Sequence, residues 1–106
     1  MFQEVIDRPL TIRPNPLSLT GLIDWLQKQP RNMGYFYGQS AGCMLFQYLR
    51  AAGFSCFNVG EDFFDHNSRG YRDFDRTRMP PRFDAIARAE PQTFGAALAR
   101  AKESVD

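Results

Sequence analysis

The chain has 106 residues, with thirteen basic and twelve acidic side chains, so its formal net charge is only +1. A balance so near zero is unlike that of a protein that coats nucleic acid or of an acidic mimic of DNA. Hydrophobic residues form 43% of the chain and include ten Phe, which excludes global disorder and is enough for one ordered core. We therefore predict a single domain over residues 1–106.

The cysteines Cys43 and Cys56 both lie inside apolar segments, where a free thiol behaves as a small hydrophobic side chain. A structural disulfide is therefore not expected. No stretch approaches the about 18 apolar residues of a membrane span, and the first residues do not have the pattern of a signal peptide. The sequence thus predicts no membrane partner and a cytoplasmic location.

Prolines interrupt the short apolar pieces of residues 1–16, which indicates an extended proline-rich arm. A first helix is predicted at 18–29, where apolar residues recur with the spacing of one helical face. Ser18 or Thr20 is suited to cap its start. Pro30 disfavours helical geometry in the residue before it, so the helix must end there.

A second helix is predicted at 41–52, ending at Gly53. Because this helix is apolar almost all round, we expect it to lie at the centre of the core. It leads directly into residues 54–59, whose β-prone composition predicts a buried strand. The aromatic triplet at 35–37 is predicted to be a short strand or an aromatic loop.

Beyond Gly60 no period is sustained, and part of this region is predicted to form a hairpin around residues 67–70. Two prolines at 80–81 suit the start of a short helix, and Thr93 suits the cap of a last helix that ends near Glu103. These elements together predict an α+β fold. It consists of a small, mostly antiparallel sheet packed against a buried central helix (41–52), with two or three flanking helices.

The sequence Cys-Met-Leu-Phe-Gln-Tyr-Leu-Arg-Ala-Ala-Gly at 43–53 is one of three segments that resemble a diffuse group of small proteins from proteobacterial phages and mobile elements. The others are Phe-Asp-Ala at 83–85 and Pro-Gln-Thr-Phe-Gly-Ala-Ala-Leu at 91–98. The resemblance covers about residues 19–101 and rests on helix-core and capping residues. It implies a phage-borne accessory protein that binds a bacterial host protein or protein complex, such as an inhibitor of a host defence system of the anti-CRISPR kind.

Asp62, Asp65 and His66, together with Glu61, form a dense cluster of possible metal donors. Their spacing matches neither an EF-hand loop nor a zinc site, so we predict no metal and no cofactor. Cys43 opens a helix and would be the nucleophile if His66 were its base, but its apolar neighbours favour burial. We therefore predict no catalytic residue, and a small enzyme or metal-binding domain that uses the cluster stays an alternative.

Arginine and aromatic residues alternate between positions 69 and 82. This composition is typical of hot spots in protein interfaces, and also of proteins that bind single-stranded nucleic acid by stacking on bases. The interleaved Asp73 and Asp75 weaken the nucleic-acid alternative and also suit an ion-paired surface loop. We predict a binding site for a bacterial protein, formed by Arg69, Tyr71, Arg72, Phe74, Arg76 and Arg78.

Overall fold

The computed structural model describes residues 15–39, 42–67 and 75–105. The described part contains helices α1 (Leu19–Gln27), α2 (Met44–Ala51), α3 (Phe83–Arg88) and α4 (Phe94–Glu103), and strands β1 (Cys56–Val59), β2 (Phe63–His66) and β3 (Asp75–Arg78). The strands form one antiparallel sheet in the order β1-β2-β3. The predicted α+β fold is thus confirmed, whereas most of the predicted arm at 1–16 lies outside the described residues.

Strands β2 and β3 form a hairpin in the irregular region, pairing in register from Phe63 with Arg78 to His66 with Asp75, so eight residues, 67–74, connect them rather than the predicted 67–70. Residues 68–74 of that connection lie outside the described ranges. Because side chains alternate across a strand, Phe64 and its neighbours at every second position face the core, and the others face outward. The hairpin therefore has one packed face and one outward face.

Helix α2 packs against β1 and α3, as expected for the central helix. Its inward side consists of four buried residues, namely Met44, Leu45, Tyr48 and Leu49. Arg50 and Ala51 are exposed, so the predicted central helix packs into the core through one side only. A helix in a domain of this size has elements to cover only one of its sides, and the small or flexible residues face water.

Strand β1 differs from the predicted buried strand at 54–59 in length and in burial. It covers Cys56–Val59, and only Cys56 is buried, while the side chain of Phe57 is 48% exposed. The physical reason is its place at the edge of a sheet that α2 covers on one face. An apolar run does not distinguish a strand buried on two faces from one buried on a single face.

The helix caps follow the predicted local chemistry. Ser18 Oγ accepts a hydrogen bond from the amide of Gly21 at 3.2 Å, and Thr93 Oγ1 accepts one from the amide of Ala96 at 3.2 Å. Helices α1 and α4 pack against each other, and the ring of Phe94 at the start of α4 lies 5.6 Å from that of Trp25. The caps and this aromatic contact fix the first and last helices as one layer.

Helix α3 is held at its C-terminal end by Arg100 of α4 and by Tyr35 of the aromatic triplet. The Arg100 guanidinium donates to the carbonyl of Ile86 from Nη2 at 2.7 Å and to the carbonyl of Pro91 from Nη1 at 3.0 Å. It also donates to Tyr35 Oη at 3.0 Å, and that hydroxyl donates to the carbonyl of Ala87 at 2.7 Å. Carbonyls at the end of a helix have no intrahelical partner, and these side chains supply one.

Replacing Leu49 by Ala should lower the free energy of unfolding by roughly 2 to 5 kcal/mol, because this residue is fully buried and the substitution leaves a cavity. Urea unfolding followed by circular dichroism would measure the loss. Val105→Ala is a matched control, since Val105 is 54% exposed and its truncation removes little buried surface. A loss for Leu49→Ala no larger than that of the control would contradict the central position of α2.

Replacing Arg100 by Lys should cost about 1 to 3 kcal/mol, since an ammonium group cannot reproduce the planar fork and leaves buried acceptors unsatisfied. Arg31→Lys is the control, because the Arg31 side chain is exposed. Both variants would be compared by thermal unfolding. Equal melting temperatures would show that Arg100 does not anchor α3.

Candidate functional site

Two of the six predicted partner-binding residues, Arg76 and Arg78, lie on β3. Both are exposed, and because they are two positions apart their side chains share the outward face of the sheet. The other four lie outside the described residues, namely Arg69, Tyr71, Arg72 and Phe74. The structure therefore describes only the part of the predicted site that lies on β3.

Phe63 of β2 lies between the two arginines. It is the register partner of Arg78 and the diagonal neighbour of Arg76, and each guanidinium lies 5.7 Å from the centroid of its ring. Direct and diagonal cross-strand neighbours are close enough for such side chains to meet. Although it is contacted by both arginines, the Phe63 ring remains 41% exposed, so it is available to a partner.

Asp65 fixes Arg76 in this arrangement. Arg76 donates to it in a bidentate manner, from Nε to Oδ1 at 2.8 Å and from Nη2 to Oδ2 at 3.2 Å. Asn58 of β1 donates to the same Oδ2 at 3.0 Å. The hydrogen bonds from Arg76 and Asn58 hold the pKa of the Asp65 carboxyl below its usual value, so the carboxylate stays charged at neutral pH.

We call the surface formed by Asn58, Phe63, Asp65, Arg76 and Arg78 the outer face. Its two arginines differ in whether a carboxylate is paired with them. Asp65 compensates Arg76, whereas Arg78 has no carboxylate within 4 Å in the part of the chain that the structure describes. The outer face thus presents a half-exposed aromatic ring and one uncompensated guanidinium.

The donor cluster of the metal-binding alternative is not brought together. Asp65 and His66 are adjacent in β2, so their side chains point to opposite faces of the sheet. His66 is buried on the inner face, with Nε2 2.9 Å from Thr77 Oγ1, and its ring lies 5.1 Å from that of Phe54. Within residues 15–39, 42–67 and 75–105, no three His, Cys, Asp or Glu side chains are placed to hold a metal ion.

Cys43 and His66, the proposed nucleophile and base, also lie apart. Cys43 is the buried N-cap of α2 and lines a cleft of about 180 Å³ near the end of β1 that carries Val59. His66 is paired with Cys56 at the opposite end of that strand. Strand geometry therefore separates the two groups beyond hydrogen-bonding reach.

The same cleft carries a polar network. The hydroxyl of Tyr37 donates to Asp84 Oδ1, and Arg88 lies 3.4 Å from Asp84 Oδ2 and 3.1 Å from Glu61 Oε2. Burial, with the hydrogen bond to Asp84, raises the pKa of Tyr37 to about 12. Tyr37 is therefore a protonated donor at neutral pH, and the network joins the loop before α2 to α3.

Comparisons of the chain with protein-family models, with curated proteins and with solved structures find no match. The resemblance to phage and mobile-element proteins therefore stays a prediction. No helix in the described ranges is long and apolar enough to cross a membrane.

Asp65→Asn should lower the melting temperature at about pH 7 and flatten the loss of stability in acid. Because the folded state lowers the pKa of Asp65, its contribution is fully present above the unfolded value of about 3.9 and is lost as the pH falls through the folded value. Thermal unfolding between about pH 7 and pH 3 would measure this. Asp24→Asn, which breaks an exposed pair with Lys28, should change little; an Asp65→Asn curve parallel to the wild type would contradict the assignment.

Proposed function

We propose that the protein is a non-enzymatic binding domain that recognises a protein partner through its outer face. The observation that carries this proposal is the half-exposed Phe63 ring held between Arg76 and Arg78. Aromatic and arginine side chains are enriched among the residues that dominate binding energy at protein interfaces. The outer face combines both types on one three-stranded sheet.

The packing of the outer face also favours binding energetically. A free Arg side chain loses conformational entropy when a partner immobilises it. The bidentate contact with Asp65 already orders Arg76, and the Phe63 ring gives both guanidinium groups a fixed support. A partner therefore meets side chains that are largely ordered before it arrives.

A protein partner is favoured over nucleic acid by the charge of this surface. Affinity for nucleic acid comes mainly from several cations that neutralise phosphates. On the outer face Asp65 offsets Arg76 and would repel a nearby phosphate, so among the described residues of this face only Arg78 is a cation without an ion-paired carboxylate. A cation beside an aromatic ring suits an acidic protein surface.

The nature of the partner follows from the resemblance alone. It supports a bacterial host protein or protein complex, met in the host cytoplasm, with the protein acting as a phage or mobile-element accessory. An inhibitor of a host defence system is the form of this proposal that we would test first. The alternative of nucleic-acid binding through residues 69–82 is addressed by the same experiment.

Phe63→Ala and Arg78→Ala should each weaken binding to the partner by about tenfold or more. The wild type would be immobilised to capture partners from bacterial lysate, and affinities of the purified partner would then be measured for each variant. Phe36→Ala is the matched control, because Phe36 is 64% exposed but lies in the loop before α2.

Equal binding by wild type, Phe63→Ala and Arg78→Ala would exclude the outer face as the interface. Affinity for single-stranded DNA that falls steeply with salt, without any protein partner, would establish the nucleic-acid alternative instead. A melting temperature raised by a metal ion or small metabolite at micromolar concentration would favour the enzyme or metal-binding alternative.

A further inference from the structure

Within the described ranges, the backbone of β3 has unpaired hydrogen-bonding groups at Arg76 and Arg78. The amide of Met79 donates to the carbonyl of Asp62 at 2.7 Å, which makes these two residues a hydrogen-bonded pair of the ladder. Hydrogen-bonded and non-hydrogen-bonded pairs alternate along an antiparallel ladder, so the next hydrogen-bonded pair is that of Thr77 with Phe64. Arg76 and Arg78 therefore direct their own N–H and C=O groups away from β2.

These backbone groups lie at the edge of the sheet, because β3 is its last strand among the described residues. Among the described residues, no backbone hydrogen bond is made by Arg76 or Arg78 on that side. The opposite edge is different, since Arg50 Nη1 donates to the carbonyl of Cys56 of β1 at 3.3 Å. An edge strand with unpaired groups is a template on which another strand can add.

The side chains beside this edge select what can add to it. A strand laid along β3 would place every second side chain on the outer face, next to Arg76 and Arg78. Acidic side chains there would form opposite-charge cross-strand pairs, and Arg78 makes no ion pair with a carboxylate in the described part of the chain. The charge of the edge therefore favours an acidic strand.

A second copy of the protein fits this edge poorly. Pairing of two β3 edges would bring Arg76 and Arg78 of both copies onto one face, and like charges opposite each other destabilise a sheet. Charged side chains on edge strands are a common means of preventing such self-association. A second copy is therefore not the occupant that we propose.

We propose that an extended peptide segment with acidic side chains at alternate positions adds to the edge of β3 as a further strand. This inference rests on the proposed function and specifies how the protein partner is bound. Main-chain hydrogen bonds to Arg76 and Arg78 supply affinity, and the arginine side chains with Phe63 supply the preference for acidic residues.

The probes are labelled synthetic peptides of about six residues, the usual length of a strand, in which Glu and Val alternate. Matched peptides carry Lys in place of Glu. We expect the wild type to bind the Glu peptide at least about tenfold more tightly than the Lys peptide, as measured by fluorescence anisotropy. Equal affinities, or no binding of the Glu peptide, would overturn the proposal.

Backbone pairing is tested separately by comparing Arg78→Pro with Arg78→Ala. Both remove the side chain, but Pro also removes the outward N–H, and it is tolerated at an edge where that group is not part of the ladder. We expect Arg78→Pro to bind the Glu peptide several-fold more weakly than Arg78→Ala. If both variants bind the Glu peptide equally, the backbone edge of β3 is not the contact and strand addition is overturned. The proposed function would still stand if a protein partner loses affinity for Phe63→Ala.

Amide hydrogen exchange tests strand addition on the wild-type protein, so its result does not depend on whether a variant folds. Addition of the Glu peptide should slow exchange at Arg76 and Arg78 and leave Thr77, which already belongs to the ladder, unchanged. Uniform or absent protection would contradict strand addition. Single-stranded DNA could also displace the peptide and slow exchange at Arg76 and Arg78 more than the peptide does. That result would overturn the proposal in favour of nucleic acid.

Discussion

The arrangement of the structure depends on the hydrogen bonds that Arg100 and Tyr35 make to the C-terminal end of α3. This helix has only six residues, too few to be stable without tertiary contacts. Its last carbonyls are bonded by two side chains that come from the final helix and from the loop before α2. Because β3 runs through the buried Met79 almost directly into α3, the anchor also fixes where β3 ends.

What the sequence could predict was local. Ser18 and Thr93 were identifiable as caps because a cap involves residues three positions apart. The role of Arg100 was not predicted, since its acceptors lie 14 positions away at Ile86 and 65 positions away at Tyr35. A contact of that range depends on how helices pack, and no periodic pattern records it.

The candidate site shows the same limit. Arg76 and Arg78 were predicted as binding residues from composition, but their support on Phe63 depends on the register of β2 against β3. Asp65 was grouped with His66 as a metal donor, although neighbouring residues in a strand face opposite ways. A strand with one buried face normally shows apolar residues at every second position. Because Phe63 and Phe64 are both aromatic, the sequence does not show this alternation, and the opposite orientation of Asp65 and His66 could not be predicted from it.

Arg76 and Arg78 differ in their ion pairing, and this difference gives them separate roles in the proposed binding mode. Arg76 satisfies the nearly buried carboxylate of Asp65, and that carboxylate holds its guanidinium against Phe63. Arg78 contacts the same ring but has no carboxylate partner among the described residues, so a partner's acidic group can pair with it without breaking an existing ion pair. In the proposed binding mode, specificity comes from Arg78, while Arg76 keeps the outer face in the shape that the partner would meet.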